Sequence, residues 1–357
     1  MRFMSRRTAP VEPHEDYGFF GPGSVTWRVW TYPTSLTVGF QRAVVVEELD
    51  PALIAAVDET NAVRYRPRTR YDRTLRYFAL ISLGDTRSAM NASNVLLKVH
   101  AKAVGIEPLS GNPYDANDPH SQLWIHLTAW HSILYAYERY GPGRLRPEDE
   151  ARYWEECAVA AELQTCDPAD VPRSREGIRE YFESMRPKLA GSEAAQSMMD
   201  HLLNAEVMLP PVPRALRPAT FVINRALRYA TIATMPQWMR KMGGLRQSRL
   251  VDALITPVMR LSFRLGRLSP RLQLRALGLL SPSTVAVAAP VLLGVPPRRA
   301  ETLTPAEARQ RYGILPPSEE YARFREQIAA EAGGGEDERS LRESAFGESE
   351  PVLGPVR

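Results

Sequence analysis

The stretch "NDPHSQLWIHLTAWHSILYAYERYGPG", residues 117–143, decides the fold class. Asp118 followed by Pro119 is a helix start. The carboxylate can cap unpaired backbone N–H groups, and proline presets φ where no donor is needed. Leu123, Leu127, Trp130, Leu134 and Tyr137 recur three or four residues apart, so they share one helical face. Gly141-Pro142-Gly143 then stops the run.

The same pattern recurs on either side. "LDPALIAAVDETNAVRY" (49–65) opens with Asp50 and Pro51. "DTRSAMNASNVLLKVHAKAVG" (85–105) has Asp85 before a helix and Gly105 as its stop. "RPEDEARYWEECAVAAELQTC" (146–166), "SREGIREYFESMRPKL" (174–189) and "GSEAAQSMMDHLLNAEVML" (191–209) continue it. A Pro-rich break, "LPPVPRALRP", precedes further helices over 215–295. Period-2 alternation is hard to find and no internal repeat is present. The pattern predicts a mostly α protein, a single large helical bundle with Pro/Gly-rich connections. Residues 1–17 read as a flexible N-terminus, 18–300 as the domain, and 327–357, poor in apolar residues, as a disordered tail.

Composition narrows the class. The beginning, "MRFMSRRTAPVEPHEDYG", has no apolar stretch behind its basic residues, so it does not read as a secretory signal. The longest apolar candidate, "STVAVAAPVLLGVPP", is short for a spanning helix and broken by Pro290. Two cysteines, Cys157 and Cys166, without CxxC spacing argue against a disulfide framework or a zinc site. A cytoplasmic location is the expectation, with contact to a membrane surface as an addition. The charge is uneven: Pro210 to Ala300 holds fifteen Arg or Lys against one acid, Asp252. Through "MRLSFRLGRLSPRLQLRALGLL", Arg260, Arg264, Arg267, Arg271 and Arg275 run beside a Leu/Phe stripe. Three readings stand: a core-facing helix with a solvated basic face, contact with an anionic membrane surface or lipid-like substrate, or nucleic acid. The last is disfavoured because no recognised binding module accompanies the charge.

Few positions carry chemistry. His100 shares an apolar stripe with Leu96, Leu97, Ala103 and Val104. An unpartnered buried ring costs about 1–3 kcal/mol, so its nitrogens need partners; it is either a satisfied core histidine or a ligand. In "RYDRTLRYFALISLGD" (70–85), Arg70 and Thr74 can share one face near a helix start, with Arg73 beside them; alone this reads as a solvated basic face. His126 lies about 60° from the Leu123–Tyr137 stripe, and His131 roughly 140° further round, so an i,i+4 zinc pair is excluded. GxGxxG, P-loop, GxSxG and HExxH templates are all missing from the sequence.

Taken in order, "RYDRT", "GDTRSA", "VLLKVHAKAVG", "YDANDPHSQLWIH", "VPRS" (171–174) and "TIATMPQWMRKMGG" (231–244) resemble the MpaB and latex-clearing rubber oxygenase superfamily over roughly residues 18–300. The resemblance implies a helical domain with a globin-like core around a b-type haem. It implies His100 as axial iron ligand and Arg70, Arg73 and Thr74 as the matching distal segment, with His126 either in the pocket or in the layer of residues supporting it. A neutral imidazole in an apolar helix suits iron, and hydrogen bonds to the ring would set its tautomer. The implied activity is that of an oxidoreductase, an oxygenase acting with dioxygen on a small apolar, unsaturated or isoprenoid-like substrate.

Some positions depart from the family pattern. Arg73 stands where the rubber enzymes have lysine, and a guanidinium that stays protonated is a poor iron ligand. Tyr32-Pro33 stands where many relatives have His-Pro, and Leu97 and Lys98 where they often have arginines. The family's catalytic acid lies upstream of the distal segment, where Glu47, Glu48, Asp58 and Glu59 are all candidates. Two alternatives accompany the oxygenase reading: a non-catalytic helical protein that binds apolar ligands or membrane surfaces, and the same fold with a different metal or none. The sequence leaves the oligomeric state open.

Overall fold

A computed structural model describes residues 11–60, 66–205, 209, 212–332 and 352–353. The described chain is helical apart from one antiparallel ribbon, β1 (Val104–Ile106) against β2 (Pro113–Asp115), with Gly105 opposite Tyr114. Before the ribbon come α1 (Val25–Trp30), α2 (Phe40–Val46), α3 (Pro51–Thr60), α4 (Pro67–Leu83) and α5 (Thr86–His100). After it come α6 (Pro119–Tyr140), α7 (Pro147–Ala161), α8 (Arg175–Met185) and α9 (Glu193–Leu202). The basic region forms α10 (Arg217–Thr234), α11 (Gln237–Met242), α12 (Arg249–Gly266), α13 (Pro270–Leu280) and α14 (Pro282–Leu292). Two more helices follow, α15 (Pro305–Tyr312) and α16 (Pro317–Ala332).

The helix starts follow the expected chemistry. Asp118 accepts from the Ser121 N–H at 3.0 Å, Asp85 from Ser88 at 2.8 Å, and Asp50 from Ala52 and Leu53 at 2.8 and 3.1 Å. Each carboxylate satisfies donors that the first turn cannot pair internally. Asp118 also shows why α6 begins where it does, since Pro119 follows at the first helical position.

Helix α6 is the axis of the core. Trp124 and Trp130 are fully buried, and so are small residues on its other faces, Thr128, Ala129, Ser132 and Ala136. Those small residues let neighbouring elements approach, which makes α6 wider in its buried surface than the single stripe predicted. A π-helical turn, Ser35–Gly39, lies against it and runs into α2. At Gly39 a Cβ would stand 3.1 Å from the Ile133 Cα, so glycine lets the two elements approach closely here. Trp30 meets Trp130 edge-on at 5.4 Å, and the Tyr153 hydroxyl donates to the Trp130 carbonyl at 2.9 Å. Beyond the Pro-rich break the basic helices fold back on this core: α14 packs on α4, and α12 on both α6 and α10.

Four boundaries differ from the sequence reading. Helix α5 ends at His100, and Gly105 sits in β1 instead of stopping the helix. The break comes early because Ala103 and Ala116 backbone groups pair across the base of the ribbon. Residues 11–17 are anchored: buried Asp16 accepts from the N–H groups of Gly18 and Thr86 at 2.8 and 2.7 Å, and Tyr17 N–H donates to Glu301. The expectation for residues 1–10 lies outside the described residues. The folded unit extends past 300, because α15 and α16 pack on α5. Residues 327–332, expected in a disordered tail, continue α16 to Ala332, and Leu353 is buried. The rest of that tail, and the end of the predicted 49–65 helix, lie outside the described residues.

Candidate active site

Helices α4 and α5 form an antiparallel pair joined at Gly84-Asp85, and a cavity of ≈ 340 Å³ opens beside them. Helix α4 contributes Arg70, Arg73, Thr74 and Tyr77, and α5 contributes Leu96, Val99 and His100. Gln122 and Ile125 come from α6, and Tyr114 to Ala116 from the ribbon. The short helical turn Glu47–Leu49 adds Glu47 and Glu48, and α3 adds Ala52, Leu53 and Ala56. Leu353 completes the apolar part of the wall.

His100 is thus brought together with Arg70, Arg73 and Thr74, thirty residues away in sequence at most. Its position at the very end of α5 lets the ring reach the ribbon and the start of α6. The Gln122 amide donates one N–H to the Ala116 carbonyl at 2.5 Å, which fixes which end of the amide faces the ring. Its other N–H meets His100 Nδ1 at 3.1 Å, so Nδ1 accepts and the ring proton belongs on Nε2. Burial, reinforced by the positive charge of Arg70, lowers the imidazole pKa to about 4, partly offset by the nearby acceptors of Asn117 and Ala116. The ring is neutral at physiological pH, as a metal-ligating imidazole must be. Asn117 itself is pinned: its amide donates to the Leu97 carbonyl at 2.9 Å, while its side-chain oxygen is buried without a partner.

Two carboxyls share the cavity. Burial raises Glu47 to about 8, with the neighbouring Glu48 adding to the rise and Arg70 opposing it. Burial raises Glu48 to about 7, again against Arg70. Glu48 Oε2 is buried and has no hydrogen-bond partner among the described residues. Carboxyls that titrate near neutrality in a largely apolar cavity are suited to proton transfer. Of the four candidate acids named above, Glu47 and Glu48 are on the wall; the side chains of Asp58 and Glu59 lie outside the described residues.

His126 does not reach the cavity. It is fully buried, its Nε2 donates to the Cys157 carbonyl at 2.8 Å, and its Nδ1 accepts from Gln164 at 3.2 Å. Gln164 does line the cavity, so His126 acts on it at one remove, by holding that amide. His131 belongs elsewhere, beside Arg42. Neither Cys157 nor Cys166 forms a disulfide, and both are buried. Among the described residues no group of three or more His, Cys, Asp or Glu is arranged to hold a metal ion.

Sequence reasoning missed Gln122, Asn117 and Gln164. The first two lie in the quoted block around Asp118, but amides at helix starts are common and carry no distinctive spacing.

The described residues thus form a mostly helical domain in which one imidazole, a cationic helix and buried carboxyls surround an apolar cavity. The model of the family described as "ER-bound oxygenase mpaB/B'/Rubber oxygenase, catalytic domain" matches residues 27–268, and the chain belongs to that family of oxygenase catalytic domains. No curated protein and no solved structure matches the chain. No helix among the described residues is long and apolar enough to cross a membrane.

Proposed function

We propose that this protein is an oxygenase-type oxidoreductase that holds a b-type haem through His100 and acts with dioxygen on a small apolar substrate in the cavity of α4 and α5. The observation that carries the reading is the convergence of His100, Arg70, Arg73, Thr74 and two protonatable carboxyls on one apolar cavity. The residues fit such a group on a test of hydrogen bonding. An imidazole that binds metal through Nε2 must carry its proton on Nδ1 and donate it. Acceptors stand beside the ring, in the Ala116 carbonyl and the Asn117 side chain, whose oxygen is otherwise unpartnered.

His100 would be the protein ligand, with the guanidinium groups of Arg70 and Arg73 available to the carboxylates of the group. Haem iron, when bound, supplies the activation of dioxygen. The chain's own contribution is different. Leu53, Leu96, Val99 and Ile125 exclude water and favour an apolar substrate. Glu47 holds a proton at neutral pH, and Glu48, poised near 7, can take one up or release it. Arg73, fixed in charge, orients polar reactants without ligating iron.

The test is the absorption spectrum of purified protein, oxidised and then reduced with dithionite. A Soret band that is lost in His100→Ala supports the reading. A flat visible spectrum that stays flat after haem reconstitution overturns it.

A further inference from the structure

Helix α12 has two apolar faces, and only one is used by the fold. Met259 and Phe263 point inward and are buried, with Ile255 packed beside them. On the opposite side Leu250, Leu254, Val258, Leu261 and Leu265 are 68, 62, 54, 60 and 57% exposed, and Leu268, just past the helix, is 77% exposed. At 3.6 residues per turn these six fall within an arc of about 80°, roughly opposite Met259. A run of outward leucines of this length is not scattered surface hydrophobicity. Neighbouring helices extend it: Phe221, Val222 and Ile223 of α10, which packs on α12, are all more than half exposed.

Charge lies along one edge of this stripe. Arg249, Arg260, Arg264 and Arg267 are exposed and fall together on the same flank. Between α12 and the end of α6 an open groove of ≈ 550 Å³ is lined by Arg139, Arg249 and Arg260. The carboxylate that lines it, Asp252, is already paired with Arg240 at 2.8 Å and accepts from Gln247 at 2.7 Å. The groove therefore presents net positive charge beside the leucines.

We propose that α12, with Leu268 just past its end, is a peripheral anchor that beds in an anionic bilayer surface. Its leucines enter the boundary of the acyl chains, and its arginine edge and groove take lipid phosphate groups. An apolar face bordered by arginine is the pattern of an interfacial helix. The charge selects the occupant. A second copy seated on the same stripe would bring its own arginine edge against this one, and between Pro210 and Ala300 a single acid faces fifteen bases. An anionic lipid surface neutralises both.

Flotation of the full chain with vesicles of phosphatidylcholine, with and without phosphatidylserine, tests this. The expected result is binding to the anionic vesicles that weakens with added salt. Leu254→Asp with Leu261→Asp should abolish it without lowering the melting temperature, because both side chains point outward. Arg249→Gln with Arg264→Gln should weaken binding about thirtyfold, at about 1 kcal/mol per arginine near the surface. No binding to anionic vesicles at low salt overturns the proposal. So does a wild-type dimer in sedimentation that Leu254→Asp with Leu261→Asp converts to monomer, which would assign the stripe to a second copy. Neither readout depends on haem.

Discussion

Gln122 and His100 are joined by a hydrogen bond of 3.1 Å whose direction is set by a third group, the Ala116 carbonyl. The amide can donate to both only if His100 Nδ1 accepts. The protein without a ligand on the ring therefore holds the Nε2–H tautomer, and ligation through Nε2 requires the proton to cross to Nδ1. Asn117 and the Ala116 carbonyl stand beside the ring as acceptors, and the Gln122 N–H must turn away from Nδ1 for the proton to sit there.

This arrangement predicts a measurable tautomer. In haem-free protein, nitrogen–proton correlation spectra of the imidazole should report His100 as Nε2–H. Gln122→Leu should switch the ring to Nδ1–H, with the Ala116 carbonyl as acceptor. An Nδ1–H ring in the wild type would contradict the bonding described here.

Arg70 presses on three titrating groups at once. It lowers His100 and opposes the rise of Glu47 and Glu48. Arg70→Gln should therefore raise the pKa of His100 and raise both carboxyls further. Titration of the His100 ring proton resonance in haem-free protein checks the first, and an unchanged or lower value would separate Arg70 from the ring.

Stability should depend on pH in two opposing ways. Glu47 and Glu48 are raised from 4.5 to about 8 and about 7, so the folded chain keeps protons that the unfolded chain releases. Their contribution is fully present below pH 4.5 and is lost as pH rises through 7 and 8. His100 and His126, lowered from 6.5 to about 4, act oppositely: stability falls as pH drops from 6.5 toward 4. Glu47→Gln should then stabilise the protein by on the order of a few kcal/mol above pH 8 and leave it unchanged below pH 4.5. Urea midpoints at the two pH values measure this, and equal shifts at both would refute the assignment.

Gly39 gives a packing test. Gly39→Ala places a Cβ 3.1 Å from both the Cα and the Cδ1 of Ile133, so α6 or the π-helical turn must give way. A loss of about 1–3 kcal/mol is expected. Gly266→Ala, whose Cβ would find its nearest neighbour at 4.0 Å, should be neutral or slightly stabilising. Chemical denaturation of the pair separates steric conflict from a general effect of removing glycine.

Much of this molecule was legible in its sequence because helix formation is local. Asp50, Asp85 and Asp118 cap as their positions predicted, and Pro51 and Pro119 begin helices as their geometry requires. The motif order also pointed to the family, and Arg70, Arg73, Thr74 and His100 do line one cavity. His126 was less legible. Helical angle placed it at the border of the core, but only the packing of α7 against α6 shows that it faces Cys157 and Gln164 instead of the cavity.

By itself the sequence determined the helical class, the helix starts and the residues able to do chemistry. These follow from periodicity, capping and side-chain type, which act over a few residues. The tertiary structure decided which carboxyls lose water, which nitrogen of His100 carries the proton, and which of the two apolar faces of α12 is covered. Each of these depends on groups distant in sequence. The turn that carries Glu47 is packed by α2, α3, α6 and α9, and a leucine stripe does not say whether protein lies over it.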